Sequence, residues 1–428
     1  MKFRVERDVL GQAVSWVARA LPSRPVVPVL AGLLLRAEGD ELRLSCFDYE
    51  VSARAAVPAD VGESGSALVP GALLAEIARN LPPADVEVTT TAGMVTLTCG
   101  SAEFALVSLP LAEYPELPAV PGVAGTIDGG LLATAAAQVV PSASRDDTLP
   151  MLTGVCLDVD GPVLTLAATD RYRMAVRTAR WDPADGRARF SVLVPARTLA
   201  EVARTMAPGK PVTISVGRPE PDETRPADGV ICFEGAGRRL TARLIGAEFI
   251  RYESRFPASY EASAEMPAGP FTEAVRRVSL VADRGAAVQL AFRRDVVVIE
   301  AQSAGRARAV ETVPARLAGD DQVISFKPHY LLDGLTAAAL TGHAGPADGH
   351  PLDQVRLQFT GPARPALITW LSGDTGEPAN SPGTAAAEGT GPLASAAATA
   401  GDIEDVGDAD GAPVFRYLVV PLRAVAAG

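Results

Sequence analysis

The sequence predicts an α+β fold made of one unit written three times, and three observations carry that prediction. A proline-led amphipathic segment recurs: residues 68–81 read LVPGALLAEIARNL and residues 193–206 read LVPARTLAEVARTM, with ten of fourteen positions identical or exchanging one apolar residue for another. A weaker third copy, FKPHYLLDGLTAAAL, occupies 326–340, so the prolines fall 125 and 133 residues apart. A pair of strand-like runs joined by a tight turn recurs as well, 33–57 matching 155–179 and, more loosely, 288–313. Each copy also opens on a helix-period segment, at 7–21, 129–140 and 270–282. Self-similarity at a long, steady period marks a repeat architecture. Helices segregated to one side of antiparallel sheet give the α+β class.

Taken in order, each unit reads helix, hairpin strands, helix, further strands. The leading helix of the first unit carries Leu10, Val14, Val17 and Leu21 at helical spacing. In the second helix of each unit a strand end runs into Pro70, Pro195 or Pro328, at or near the first turn, where the missing N–H costs nothing. Leu73, Leu74, Ile77 and Leu81 form the expected apolar stripe of the first such helix, and strands follow at 94–99 and 103–109. Pro-rich connectors, LPAVPGVAG at 117–125 and FPASYEASAEMPAGP at 256–270, separate the copies. The expected domains are therefore 1–121, 126–256 and 263–428, each of ordinary domain size. Residues 372–412 hold eight acids, no Lys or Arg, and much Gly, Ala, Ser, Thr and Pro. Such a segment buries too little surface to fold and reads as a disordered acidic insertion within the third domain.

One turn stands out. Residues 166–176, LAATDRYRMAV, read as two strands meeting at Thr169–Asp170. A turn that short leaves its side chains clear of the sheet, so Arg171, Tyr172 and Arg173 read as an exposed aromatic flanked by two guanidinium groups. That is a docking surface or an ordinary surface hairpin. Asp48 occupies the same turn of the first copy, 122 residues earlier, and Ser303–Ala304–Gly305 replaces it in the third.

Composition narrows the function. The chain of 428 residues is 48% hydrophobic and 21% charged, as for a soluble globular protein of several domains. Eight of the twelve net negative charges sit in the acidic insertion, so the whole-chain charge of −12 does not exclude nucleic acid. Three lysines stand against 36 arginines, a coding bias that weakens each arginine as a functional signal. Cys46, Cys99, Cys156 and Cys232 have no paired metal spacing and read as buried, reduced thiols. With no apolar leader and no membrane-length run, a cytoplasmic protein is expected. P-loop, GxGxxG, GxSxG, CxxC and HExxH motifs are all missing. The histidines are His329, His343 and His350, and the acid pairs Asp146/Asp147 and Asp158/Asp160 read as turn residues without converging partners. No cofactor, no metal and no enzymatic activity are expected.

FDYEVS at 47–52, DDTLPMLTGV at 146–155, ATDRYRMAV at 168–176 and FRYLVVPLR at 415–423 resemble the bacterial DNA polymerase III β sliding clamp, of actinobacterial type. The resemblance runs through all three repeats in the family's order, over 1–371 and 413–423. It implies a ring-forming head-to-tail homodimer of three clamp domains per chain, each with two helices and two antiparallel sheets. Helices line the hole, and double-stranded DNA is encircled without regard to sequence. Such a clamp is a processivity factor, associated with the nucleoid and free of catalysis. Closure follows when a heterologous interface is repeated with the right rotation.

The resemblance also implies two sets of site residues. For DNA contact these are Arg24, Arg79, Arg145, Arg197, Arg204, Arg276 and Arg277, on segments that also carry Arg7, Arg19, Arg284 and Lys327 among interspersed acids such as Asp8, Glu76, Glu201 and Glu273. For a peptide groove they are Leu152, Thr169, Arg171, Tyr172, Arg173, Met174, Ile250, Tyr330, Leu418, Val419, Val420, Pro421, Leu422 and Arg423. Partners of that groove in the family are the DNA polymerase III alpha subunit, the clamp loader and other proteins with clamp-binding motifs, together with groove-binding peptide natural products. Ile250 stands where the family commonly has proline, and Ser254 where it has a longer polar or basic residue. Two alternatives stay open: a specialised second copy with a reshaped groove tolerant of inhibitors, and a clamp-fold peptide-binding scaffold that does not encircle DNA.

Overall fold

The computed structural model describes residues 1–91, 93–206, 209–217, 229–283, 285–303, 305–341, 354–371 and 414–422. The acidic insertion 372–412, Arg284, Arg423, His343 and His350 lie outside the described residues. The chain forms two compact units, Met1–Arg255 and Phe256–Gly428.

Among the described residues six α-helices come in three packed pairs: α1 (Arg7–Val17) with α2 (Gly71–Asn80), α3 (Gly129–Val139) with α4 (Ala196–Thr205), and α5 (Ala268–Ser279) with α6 (Pro328–Ala339). Helix starts follow the repeated prolines. Pro70 and Pro195 are the N-cap residues of α2 and α4, and Pro328 is the first residue of α6. Asp128 caps α3 by accepting from the Leu131 N–H at 2.8 Å. The stripe of α1 is buried as expected at Leu10, Val14 and Val17, with Trp16 added. Each such side chain contributes roughly 1.5–3 kcal/mol by leaving water. On α2 the expectation needs correcting: Leu73 is 46% exposed, and the buried face is Leu74, Ala75, Ile77 and Ala78. Period alone fixes the width of an apolar stripe, while its centre is set by the neighbouring helix.

In the first unit five antiparallel strands run in the order Asp60–Glu63, Lys2–Val5, Val86–Thr91, Met94–Cys99, Ala102–Val107. A nine-stranded sheet joins the first two repeats, because Arg238–Arg243 pairs with Val51–Pro58. Four further antiparallel strands, Arg189–Pro195, Gly154–Asp160, Val163–Thr169 and Arg173–Arg180, carry the hairpin of the second repeat. In the second unit Phe415–Val419, Ala366–Leu371, Gln354–Phe359, Ala262–Pro267 and Arg316–Ala318 are neighbours in that order. Ala307–Pro314, Val296–Ser303, Val288–Arg293 and Gln322–Phe326 form a separate four-stranded sheet. All four cysteines are free and buried. Burial pushes the Cys46 thiol up to about 12 and Cys156 up to about 11, which keeps them protonated and unreactive.

Candidate nucleic-acid face and partner-binding residues

The helices of the first unit bring scattered arginines together. A depression of about 680 Å³ is lined by Arg7, Arg19, Arg79, Arg204 and Arg238 against a single acid, Asp8. The α1 residues Gln12, Ser15 and Trp16 form part of its wall. A second depression of about 460 Å³ shares Trp16 and Arg19 and adds Arg24 and Arg197, with Asp48 and Glu201 as its acids. Four of the seven expected DNA-contact residues, Arg24, Arg79, Arg197 and Arg204, thus line two adjacent basic depressions. The rest are placed elsewhere. Arg145 is exposed in the loop after α3, where Asp146 accepts from Thr148 through both its backbone N–H and its hydroxyl; those two bonds hold the Asp146 carboxyl below its ordinary range. Arg276 and Arg277 are exposed on α5 of the second unit and already paired, with Glu273 and Glu311 respectively.

Arg238 was not expected. Its guanidinium carbon sits 5.5 Å from the centre of the Trp16 ring, and it donates to the Thr205 carbonyl at 2.9 Å. Burial first, and then the nearby Arg19 charge, lowers its pKa, with Glu201 opposing. The stacked arrangement is a cation–π contact that fixes the guanidinium in place. No local motif announces it, because Trp16 and Arg238 belong to different repeats. Arg79 and Arg204 end α2 and α4, where a cation also complements the helix dipole.

The hairpin of the second repeat is built by its aspartate. Asp170 accepts from the Tyr172 and Arg173 N–H groups, both at 3.0 Å. Its other oxygen takes the Arg173 guanidinium at 3.0 Å. The Thr169 hydroxyl donates to the Arg173 carbonyl at 2.6 Å and accepts from the Arg171 N–H at 3.2 Å. So held, Arg171 adopts a left-handed backbone, φ 79°, and stands exposed with Tyr172. The expectation of two exposed guanidinium groups needs correcting: the Arg173 side chain is only 10% exposed. An aspartate three residues back in a tight turn is within its reach. Thr169, Met174 and Leu152 are buried, and Ile250 is half-buried. Ser254 is exposed and donates to the Arg251 carbonyl at 2.9 Å.

The C-terminal residues sit in the second unit. The strand Phe415–Val419 is clipped to α6 where the Tyr417 hydroxyl donates to the Tyr330 carbonyl at 2.8 Å. Gly334 makes that seat possible, since a Cβ there would lie 2.5 Å from the Tyr417 ring. Leu418, Val419 and Pro421 are buried, while Val420, Leu422 and Tyr330 are half-buried. The Leu422 N–H donates to the Ser325 carbonyl at 2.8 Å. Asp158 lies in the strand Gly154–Asp160, not in a turn, and accepts from the Tyr252 hydroxyl at 2.9 Å. Burial, with Asp158 and Glu253 close by, drives the Tyr252 phenol pKa up. Among the described residues no group of three His, Cys, Asp or Glu side chains is placed to hold a metal ion. None of their helices is long and apolar enough to cross a membrane.

Residues 1–118 match the profile of the N-terminal domain of the DNA polymerase III beta subunit, residues 126–250 its central domain and residues 253–379 its C-terminal domain. The chain belongs to the DNA polymerase III beta subunit family, the beta sliding clamps. The beta sliding clamp of Streptomyces coelicolor is 47% identical over 369 residues, covering 86% of this chain and 94% of that one. The "Beta sliding clamp homolog GriR" of Streptomyces muensis is 42% identical over 336 residues, covering 78% and 88%. Among solved structures, the DNA polymerase sliding clamp of Bacillus subtilis superposes with a TM-score of 0.79 at 25% identity over 99% of both chains. A Pseudomonas aeruginosa sliding clamp bound to griselimycin has the same fold, with a TM-score of 0.79 at 23% identity over 99% of both chains. The three repeats read from the sequence are the three clamp domains, and the α+β class holds.

Proposed function

We propose that two copies of this chain close head to tail into a ring around duplex DNA. The ring tethers the DNA polymerase III alpha subunit, the clamp loader and other proteins with clamp-binding motifs, and performs no chemistry of its own. The three clamp-domain profiles, matched in order over 1–379, carry this reading. Sheet edges without a partner strand among the described residues support ring closure. Ala102–Val107 is the edge of the five-stranded sheet and shows Val107 66% exposed. In the second unit Ala307–Pro314 is also an edge, and Leu280 at the end of α5 is 82% exposed. An exposed edge with a large apolar side chain is a surface that monomers avoid. The arginine-lined depressions support sequence-independent phosphate contact, for which Arg24, Arg79, Arg197 and Arg204 come first and Arg145, Arg276 and Arg277 second. Partner recognition is assigned to Leu152, Thr169, Arg171, Tyr172, Arg173, Met174 and Ile250 in the first unit. In the second it is assigned to Tyr330, Leu418, Val419, Val420, Pro421, Leu422 and Arg423. Cytoplasmic, nucleoid-associated residence follows from that role.

Light scattering and a polymerase assay test the proposal. A dimer mass, with stimulation of DNA polymerase III on primed circular DNA, is the expected result; a monomer that leaves the polymerase distributive would overturn it. Leu280→Asp should shift the mass to monomer and abolish the stimulation.

A second reading is favoured by the similarity to the chain named as a sliding-clamp homologue in Streptomyces muensis: a specialised copy whose recognition surface is reshaped at Ile250. Griselimycin, the ligand of the Pseudomonas aeruginosa clamp, is the probe. Under this reading Ile250→Pro changes the ratio of its affinity to that of a polymerase tail peptide. Equal ratios before and after the substitution remove the idea.

A further inference from the structure

One acid ties the two basic depressions together, and neither the repeat pattern nor the clamp reading gives it a role. Glu201, on α4, places one carboxylate oxygen on Arg19 at 3.3 Å and the other on Arg204. Its side chain is 22% exposed, less than either arginine it holds. Arg19 lines both depressions, Arg204 the first, and Glu201 itself the second. Offering two oxygens to two guanidinium groups is what a phosphodiester does at such a site. Of the other arginines, Arg7 is held by Asp8 at 2.6 Å, whereas among the described residues no ion pair engages Arg24, Arg79 or Arg197.

We propose that Glu201 is a built-in competitor for phosphate, which sets how tightly this face holds nucleic acid. Arg24, Arg79 and Arg197 meet backbone phosphates directly. Arg19 and Arg204 do so only when a phosphate displaces the carboxylate, and they return to it when the phosphate moves on. Each phosphate neutralised steepens the dependence of binding on salt by about 0.9 in log–log slope. A face with Arg19 and Arg204 held in reserve by Glu201 therefore binds with a shallower slope than its arginine count implies. It also offers less drag to a duplex passing along it.

The inference rests on the clamp reading for its biological setting, and the test separates the two. Anisotropy of a short linear duplex over a salt series measures the face itself; retention on nicked circular DNA measures the ring. Glu201→Gln, which keeps size and removes charge, should tighten duplex binding about tenfold at 50 mM salt and steepen the slope by about 1 to 2. It should also lengthen retention on circles several-fold. Asp40→Asn, on the hairpin between Gly32–Glu38 and Glu41–Phe47 and outside both depressions, makes the same change of net charge and should leave the slope unchanged. In an Arg19→Gln/Arg204→Gln background the gain from Glu201→Gln should vanish, as a coupled pair requires. Equal effects of Glu201→Gln and Asp40→Asn, or a full gain persisting without the two arginines, would overturn the proposal. Wild-type protein that leaves circles as fast as linear DNA would instead overturn the ring.

Discussion

The first and second repeats contain the same hairpin with different purposes. Phe47–Ser52 and Thr169–Met174 have the same register, each closing on its end pair. Asp48 accepts from the N–H groups two and three residues on, at 3.0 and 2.7 Å, as Asp170 does. The residue after each aspartate is left-handed, Tyr49 at φ 73° and Arg171 at φ 79°. The backbone device is thus a property of the repeat, in which an aspartate side chain mimics a turn and tolerates a neighbour in a costly conformation. What the side chains do is individual. Tyr49 leans on Phe47, ring centres 5.4 Å apart, while Asp48 and Val51 line the second basic depression. In the second repeat threonine replaces that phenylalanine, arginine replaces the valine, and an exposed tyrosine stands one position later.

If the second hairpin recognises partners and the first does not, removing the tyrosine of each gives the largest contrast. Tyr172→Ala should weaken binding of a polymerase tail peptide by at least about thirtyfold, since a central aromatic in a peptide site is worth about 2 kcal/mol or more. Tyr49→Ala should leave that affinity unchanged. Calorimetric titration of both variants decides it, and equal small losses would return the second hairpin to plain surface.

A smaller contrast is expected in stability. Asp170 supports two N–H groups and a guanidinium that is nine-tenths buried, so Asp170→Ala also removes a countercharge from a positive group held away from water. Asp48 has valine where Arg173 stands. Local opening should become easier by about 2–3 kcal/mol for Asp170→Ala and by about 1 kcal/mol for Asp48→Ala. Hydrogen exchange at the hairpin amides reads this directly. The assignment of the ion pair fails if the two variants exchange alike.

Much of this is legible in the sequence alone. The prolines mark the starts of α2, α4 and α6 because a residue without an N–H is best placed there, and the shared turn was visible as Asp48 and Asp170. Leu73 falls on the exposed side because an amphipathic period does not say where a stripe is centred. Arg173 departs from the exposed expectation because the carboxylate three residues back holds it. Arg238 on Trp16, and Glu201 between Arg19 and Arg204, were out of reach for another reason. Glu201 and Arg204 are three apart on one helix, but the Glu201–Arg19 and Arg238–Trp16 contacts join two repeats that share the sheet of Val51–Pro58 and Arg238–Arg243, and no spacing along the chain encodes such a meeting.

The finest test of the comparison is the left-handed residue itself. A residue with a Cβ pays roughly 1 kcal/mol to sit at positive φ, and glycine does not. Arg171→Gly should therefore raise the stability of its hairpin by about 0.5–1 kcal/mol, while lowering peptide affinity through loss of the exposed guanidinium. Tyr49→Gly relieves the same backbone cost but gives up the contact with Phe47, so its net effect on stability should be close to zero and its effect on peptide affinity nil. Thermal unfolding and peptide titration of the two glycine variants separate backbone relief from side-chain work. Opposite signs for stability and affinity in Arg171→Gly, with neither shift in Tyr49→Gly, is the expected pattern. A loss of stability in Arg171→Gly would mean that the side chain, not the aspartate, holds the turn.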